Sequence, residues 1–154
     1  MSISFERITK ENLYIAEEMV ASNQDYNIME NGSPIRTKET IEREFINSKT
    51  KSLLIKLDES YIGVANYLHH NEKDGFPWIG LFMIHGDYQS YGIGSKAYFR
   101  LESLLKEEDC KHVRLAVLPE NKQAKFFWGK LGYVFFERKL SENGQVVDCF
   151  QKIL

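Results

Sequence analysis

Two glycines, Gly92 and Gly94, lie in a short polar loop between two apolar segments. The segment before the loop, Trp78 to Ile84, is almost continuously apolar, which is typical of a strand buried on both faces. After the loop, apolar residues recur at helical spacing: Ile93, Ala97, Leu101, Leu104 and Leu105. The first turn of a helix carries unpaired backbone N–H groups and the positive end of the helix dipole, and both attract anions. We therefore expect the loop to hold a phosphate-bearing cofactor and the preceding strand to hold its reactive end.

The elements that must position this loop follow from the remaining hydrophobic patterns. They predict a mixed α/β (α+β) sheet in the element order β-α-α-β-β-β-α-β-α-β-β. Strands are predicted at residues 2–8, 52–57, 61–70, 78–84, 112–118, 133–138 and 146–154. Helices are predicted from about Lys10 with Thr9 as its cap, over 37–48, from Ile93, and between Asn121 as cap and Gly132 as stop. The polar segment 22–36, which contains Asn31-Gly32 and Pro34, is predicted to be a loop.

Composition predicts one cytoplasmic domain over residues 1–154. The length suits a single domain with a substantial core, and a net charge of −2 gives no field that attracts nucleic acid or an anionic membrane. No apolar run reaches membrane-spanning length, and the N-terminal segment lacks the apolar core of a signal peptide. Cys110 and Cys149 are isolated and are expected to stay reduced. His69 and His70 would face opposite sides of a strand, so no metal site is expected.

A dinucleotide cofactor is one interpretation of the glycine loop. Gly92, Gly94 and Ala97 satisfy the G-x-G-x-x-A spacing, and Glu120 is a candidate for the ribose-binding acid. Glu120, however, lies 26 residues beyond Gly94, and the dinucleotide fingerprint opens a long run of β-α units, whereas here two hairpin strands come first. No Lys-Ser/Thr pair follows the glycines, so the loop is not a Walker loop either.

A second interpretation rests on two linked segments. YQSYGIGSKA resembles the Q-x-x-G-x-G segment of the GNAT superfamily of acetyl-CoA-dependent N-acetyltransferases, with Gln89 at its first position and Gly86 where the family's spacer usually has Pro. Further on, LPENKQAKFFWGKLGY resembles the family's second cofactor segment, N-x-x-A-x-x-F-Y-x-K-x-G-F. The matching residues are Asn121, Ala124, Phe127, Lys130 and Gly132. The order and spacing of both segments, and the order of the predicted elements, are those of the family.

The resemblance implies a role for each matched position. Backbone amides would cradle the pyrophosphate of acetyl-CoA: those of Gln89, Ser90, Tyr91, Gly92, Ile93, Gly94 and Ser95. The two glycines would matter because they lack a Cβ. A separate segment, formed by Phe82, Met83 and Ile84, would splay from the next strand, pair with the pantetheine arm and offer an N–H to the thioester oxyanion. Asn121, Phe127 and Trp128 would border the pantetheine and the sulfur.

Acetyl transfer to an amine requires the amine to be neutral. At pH 7 an unperturbed lysine-like ammonium, with a pKa near 10.4, costs about 4.6 kcal/mol to deprotonate, whereas a thiol with a pKa of about 8.5 costs only about 2 kcal/mol to release as thiolate. A general base should therefore matter more than a general acid. Neither central strand carries a carboxylate, which leaves His85 at a strand end and Asp25 and Glu30 in segment 22–36 as candidate bases.

The general acid is the clearest departure from the family. Trp128 occupies the position of the family's proton-donating tyrosine, and an indole N–H cannot deliver a proton at physiological pH. Tyr91, Tyr133 or water would then protonate the thiolate, or it would leave unaided. The sequence thus predicts an N-acetyltransferase that moves the acetyl group from acetyl-CoA to a primary amine of an acceptor, either a small molecule or a peptide or protein. The substitution at Trp128 favours the alternative, a non-catalytic acyl-CoA-binding or sensing domain. A homodimer is compatible with the resemblance.

Overall fold

The computed structural model describes residues 2–33, 35–89 and 92–154, without the side chains of Glu30 and Asn31. Seven strands in these residues form one mixed sheet in the order β1-β2-β3-β4-β5-β7-β6. The strands are β1 Ile3–Arg7, β2 Lys51–Leu57, β3 Ser60–Leu68, β4 Trp78–Ile84, β5 His112–Val117, β6 Val134–Leu140 and β7 Val146–Ile153. The helices are α1 Leu13–Ala21, α2 Gln24–Asn31, α3 Lys38–Phe45, α4 Ile93–Glu107 and α5 Lys122–Lys130, with a short 3-10 turn at Gly86–Tyr88. The predicted fold class, a mixed α/β sheet, is confirmed.

Helices cover both faces of the sheet. Alternate residues of β2, β3 and β4 pack on α1 and α3 on one face: Leu54, Val64, Leu81 and Met83 contact a cluster that includes Ala16, Val20 and Phe45. The other face packs on α4 and α5 through a larger cluster that includes Ile62, Ala65, Tyr98 and Leu101. A strand with helices on both sides is apolar at nearly every position, which explains the continuous apolar run of β4.

The two central parallel strands separate after only two residue pairs. Trp78 pairs with Arg114 and Ile79 with Leu115, and β4 then leaves β5. The register between β3 and β4 shifts at the same point, where Gly80 has no partner on β3. Such a bulge bends a strand and increases its local twist, so it turns the rest of β4 away from β5. A side chain at Gly80 does not fit there, because a Cβ would lie 2.8 Å from the side-chain oxygen of Asn66.

The paired end of the two strands is fastened by Arg114. Its guanidinium lies 3.7 Å from the ring centre of Phe76 and 4.3 Å from that of Phe136, and it forms an ion pair of 3.3 Å with Asp74. The carboxylate of Asp74 also accepts from the indole N–H of Trp78 at 2.8 Å and from the backbone N–H of Phe76 at 2.9 Å. The split therefore opens from a fixed end, and it separates the two strands that the family resemblance implied would splay apart.

The predicted loop at 22–36 was wrong, because α2 lies within it. Among its described side chains only Asn27 is buried, and Asn27 donates to the carbonyl of Val20, so a polar contact helps to anchor the helix. Gly32 has φ +74° and its N–H donates to the carbonyl of Ile28, which makes Asn31-Gly32 the end of a helix and not the centre of a loop. The predicted element order was short by this helix.

Most of the other predicted boundaries are close to those of the structure. β4 and the first residue of α4 coincide with the prediction, and the side chain of Asn121 caps α5 by accepting from the N–H of Ala124 at 3.1 Å. The predicted cap of the first helix was wrong. That helix begins at Leu13, and the side chain of Asn12 instead accepts from the N–H of Thr9.

Every helix in the described part of the chain is too short or too polar to cross a bilayer. Within the same residues, no group of three or more His, Cys, Asp and Glu side chains could hold a metal ion.

Candidate active site

A cavity of about 620 Å³ lies in the split between β4 and β5. One wall is β4 from Ile79 to Ile84, and the opposite wall is the end of β5 with Leu118. The start of α4, one face of α5 and the junction between α1 and α2 complete it. The two sequence segments that resemble cofactor motifs thus meet at a single cavity.

The start of α4 offers backbone N–H groups to this cavity. The first hydrogen bond within the helix is donated by Lys96 to Gly92, at 3.3 Å, so the amides of Ile93, Gly94 and Ser95 precede the helical ladder. No acidic residue stands in the first turn, and no cap bond comes from a side chain in the part of the chain that the structure describes. The positive end of the dipole of this 15-residue helix is therefore left uncompensated, as an anion site requires.

The two glycines of the loop serve different purposes. Gly92 has φ +73°, which side-chain-bearing residues rarely adopt, yet no described atom lies within 4 Å of a Cβ placed there. At Gly94 a Cβ would lie 3.3 Å from Cε1 of Phe127. The absence of a Cβ therefore has a different consequence at each position: it permits the positive backbone angle of Gly92 and the closeness of Gly94 to an aromatic ring.

The open edge of β4 forms the long wall of the cavity. Beyond Ile79 no described strand pairs with its backbone on the β5 side, so an extended ligand can pair with it as a strand would. The ring of Phe82 stacks on that of Phe127, with 6.1 Å between centres and 20° between planes. The cavity is thus bounded by main-chain polar groups on one side and by aromatic rings next to them.

Trp128 belongs to an aromatic cluster behind this wall. It is 8% exposed, and its ring centre lies between 4.9 and 5.8 Å from those of Phe82, Tyr98, Phe127 and Tyr133. The hydroxyls of Tyr98 and Tyr133 lie 2.9 Å apart, and burial raises the pKa of both phenols. Tyr133 is not among the described residues that line the cavity, and its hydroxyl is paired with that of Tyr98.

A hydrogen-bond network joins the end of β4 to the α1–α2 junction. The carbonyl of Ile84 accepts from the side-chain amide of Gln89 at 2.7 Å and from that of Asn23 at 3.2 Å. The same Gln89 amide donates to the side-chain oxygen of Asn23 at 2.7 Å. The N–H of Gly86 donates to the Ser22 hydroxyl at 3.2 Å. Sequence reasoning missed Asn23, because nothing in the sequence indicates a contact between residues 61 positions apart.

With this geometry established, the comparisons with known proteins decide the family. A sequence model of the acetyltransferase (GNAT) family matches residues 16–133, well over half of the chain. The chain belongs to the GNAT acetyltransferase family. A search of curated protein sequences found no match.

Solved structures of other acetyltransferases have the same fold. An acetyltransferase from Thermus thermophilus is similar at TM-score 0.81 and 16% identity, over 100% of this chain and 98% of that one. PaiA N-acetyltransferase from Thermoplasma acidophilum, solved in complex with coenzyme A, gives 0.69 and 16% over the whole of both chains. The ribosomal-protein-S18-alanine N-acetyltransferase from Escherichia coli gives 0.75 and 11%, over 99% of this chain and 94% of that one. At these identities the likeness shows the shared fold.

Most residues predicted to bind the GNAT cofactor line the cavity. They are Phe82, Met83, Ile84, Gln89, Gly92, Gly94, Ser95, Asn121, Phe127 and Trp128. Ile93 does not line it, although its N–H is one of the three amides before the helical ladder. Ser90 and Tyr91 lie outside the described residues.

The candidate bases of this GNAT chain differ in their position relative to the cavity. Asp25 lines the cavity in the first turn of α2 and is the one carboxylate among its described lining residues. His85 does not line it, and its Nδ1 accepts from the N–H of Asp87 at 3.1 Å. The side chain of Glu30 lies outside the described residues. The structure thus brings Asp25, and not His85, to the cavity.

Proposed function

We propose that the chain is an N-acetyltransferase that transfers the acetyl group of acetyl-CoA directly to a primary amine in a ternary complex. One observation carries the proposal: the cavity between β4 and β5 has an uncapped helix N-terminus at one end and an open strand edge along its wall. The first suits a pyrophosphate and the second suits the amide-bearing pantetheine arm. We further propose that residues 1–154 act as a single domain in the cytoplasm.

The transfer involves two proton steps and one exchange of bonds. The acceptor ammonium loses a proton, and the neutral nitrogen attacks the thioester carbonyl carbon to form a C–N bond. An N–H on the open edge of β4 would stabilise the oxyanion of the tetrahedral intermediate. The C–S bond then breaks, CoA leaves as thiolate, and the nitrogen loses its second proton. Positioning and removal of the first proton are the main demands on the protein.

The position of Asp25 supports the proposal that this carboxylate binds the acceptor amine. It is exposed at the mouth of the cavity, on the side formed by the α1–α2 junction rather than by the glycine loop. A carboxylate there attracts a cationic amine and can pass its proton to water. We therefore propose a cationic or polar amine as acceptor, on a small molecule or on a peptide or protein.

Trp128 favours a second candidate function, a non-catalytic acyl-CoA-binding or sensing domain. The indole stands where the family has a proton-donating tyrosine, and the hydroxyls of the two tyrosines packed against it, Tyr98 and Tyr133, bond to each other within the core. A binding domain needs the pyrophosphate site and the pantetheine wall but no acid.

A thiol-release assay over a panel of amines, combined with calorimetric titration of CoA and acetyl-CoA, separates the two functions. The panel should contain small cationic amines, neutral polar amines and short peptides with free N-termini. CoA release that depends on one acceptor supports the enzyme. Tight acetyl-CoA binding with no release on any acceptor supports the sensing domain, and no binding of either compound contradicts both.

A further inference from the structure

Asn23 occupies the N-cap position of α2 without capping it. Asparagine at this position ordinarily accepts a hydrogen bond from an N–H of its own helix, and such a cap contributes about 1 kcal/mol. Here the side chain makes no capping bond, and its amide points instead to the carbonyl of Ile84 on β4. The Asn23 side chain thus forms a contact across the cavity wall instead of a capping hydrogen bond within its own helix.

Asn23 and Gln89 share one partner and are hydrogen-bonded to each other. Each donates to the carbonyl of Ile84, and Gln89 also donates to the side-chain oxygen of Asn23. The Asn23 amide also lies within bonding distance of the carbonyl of Met19 and of the Ser22 hydroxyl. Both side chains line the cavity and are only partly exposed. The pair therefore forms a closed bridge between the end of β4 and the end of α1.

Under the proposed function, this bridge connects the wall of the cavity that binds the donor to the wall that binds the acceptor. Gln89 lies at the start of the glycine loop, immediately after the 3-10 turn, where the donor would bind. Asn23 begins α2, and the first hydrogen bond of that helix runs from the N–H of Asn27 to the carbonyl of Asn23. Asp25, the carboxylate of the acceptor wall, is two residues further along the same helix.

We infer that Asn23 and Gln89 are positioning residues that couple binding of a CoA-type nucleotide at the glycine loop to the ordering of α2. The inference rests on the proposed function. A ligand that fixes the backbone at Gln89 also fixes its side chain, which holds Asn23 and thereby the first turn of α2. Coupling between sites is reciprocal, so an acceptor that binds against α2 strengthens donor binding by the same factor.

Hydrogen–deuterium exchange of the amides of α2, with and without CoA, tests the coupling without knowledge of the acceptor. We expect CoA to slow exchange over residues 24–32 of the wild-type protein by about fivefold or more. The Asn23→Ser variant keeps a good N-cap residue, so α2 can form, but its side chain is too short to reach Ile84 or Gln89. In this variant the CoA-dependent slowing should fall below about twofold while CoA still binds.

A matched control and a second variant complete the design. Asn47→Ser removes hydrogen bonds to Arg43 and Glu44 at the end of α3, away from the cavity, and should keep the full CoA-dependent slowing in α2. Gln89→Leu breaks the bridge from the donor side and should abolish it. CoA binding that leaves exchange in α2 unchanged in the wild type, or slowing that persists in Asn23→Ser, overturns the inference and leaves the proposed function standing. If calorimetry shows no CoA binding to the wild type, the proposed function fails first.

Discussion

The ring of Phe127 lies against the backbone of Gly94, so that a Cβ on Gly94 would be 3.3 Å from Cε1 of that ring. Gly94 belongs to the glycine loop before α4, and Phe127 belongs to the segment that forms α5. The glycine loop alone does not distinguish a CoA-type cofactor from a dinucleotide, and the second segment is what favours the CoA-type cofactor. Their contact joins the anion-binding end of the cavity to its aromatic wall. It also explains why position 94 holds a residue without a side chain.

The contact predicts an unusual response to Gly94→Ala. Alanine ordinarily stabilises a helix relative to glycine by about 0.5–1 kcal/mol. At position 94 the Phe127 ring must shift by a few tenths of an ångström, so we expect no gain in stability and a CoA affinity at least about threefold lower. Gly129→Ala is the matched control, because no described atom lies within 4 Å of its Cβ and it should gain the full amount. Urea unfolding and calorimetry measure both effects. Equal gains in the two variants, with unchanged CoA affinity, would contradict the prediction.

Charge at the helix N-terminus is tested at Gly92. Asn and Asp tolerate the positive φ of this position better than other residues, so Gly92→Asn and Gly92→Asp should lose similar stability, about 1 kcal/mol. Only Asp adds a negative charge beside the uncapped amides of α4. We expect CoA to bind the Asp variant at least about tenfold more weakly than the Asn variant, and the difference to shrink at high salt. A folded Asp variant with normal CoA affinity would place the pyrophosphate elsewhere.

Much of the fold could be predicted because the segments with the clearest sequence patterns also form its central strand and the helices beside it. β4 is buried on both faces and is therefore apolar throughout, α4 begins at a glycine with positive φ, and α5 begins at an asparagine that caps it. Local propensity and tertiary position agree at these points, so pattern and structure coincide.

Segment 22–36 and the bridge at Asn23 could not be predicted for the opposite reason. The sequence of α2 is polar, and the buried one among its described side chains, Asn27, is held by a hydrogen bond that periodicity cannot reveal. Asn31-Gly32 is equally compatible with a turn and with a helix end. The contact from Asn23 to Ile84 and the separation of His85 from the cavity depend on how distant segments pack.

Asp25 should set the charge preference of the acceptor. Asp25→Asn removes the one carboxylate among the described lining residues, and we expect the KM for a cationic acceptor to rise about fivefold, which corresponds to about 1 kcal/mol for one screened charge pair. CoA affinity should not change. Glu18→Gln, which removes an exposed charge from α1 outside the cavity lining, is the control. Initial-rate kinetics with a cationic and a neutral acceptor measure the effect; an equal rise in KM for both acceptors would contradict an electrostatic role.

The attachment of α5 should depend on pH through Asp148. This buried carboxylate receives hydrogen bonds from Arg138 at 2.6 and 3.1 Å and pairs with Lys125 of α5 at 2.7 Å. The hydrogen bonds from Arg138, followed by that from Lys125, lower the pKa of Asp148 well below its ordinary value. Because the folded-state pKa is the lower one, the stabilisation is present above the unfolded pKa of about 3.9 and is lost as the pH falls below it.

We therefore expect Asp148→Asn to lower the free energy of unfolding by about 2 kcal/mol at neutral pH. The difference from wild type should stay constant between pH 8 and pH 5 and shrink below about pH 4. Urea unfolding across this range measures it. A difference that is the same at pH 7 and at the lowest pH where both proteins remain folded would show that the ionised carboxylate is not what holds α5.

Protonation of the departing thiolate is tested with variants at Trp128. Trp128→Tyr introduces the hydroxyl that the family has at this position. Trp128→Phe loses a similar amount of packing but introduces no hydroxyl, so the ratio of the two kcat values isolates the effect of the hydroxyl. Both should lose about 1–2 kcal/mol of stability, because Trp128 is 8% exposed and packed on four rings. Release of a thiolate costs about 2 kcal/mol at pH 7, against about 4.6 kcal/mol for deprotonation of the amine. We therefore expect kcat for Tyr and Phe to agree within about threefold, and kcat/KM to rise from pH 7 to pH 9 in both. A Tyr variant about tenfold faster than the Phe variant would show instead that proton donation to sulfur limits the wild-type protein.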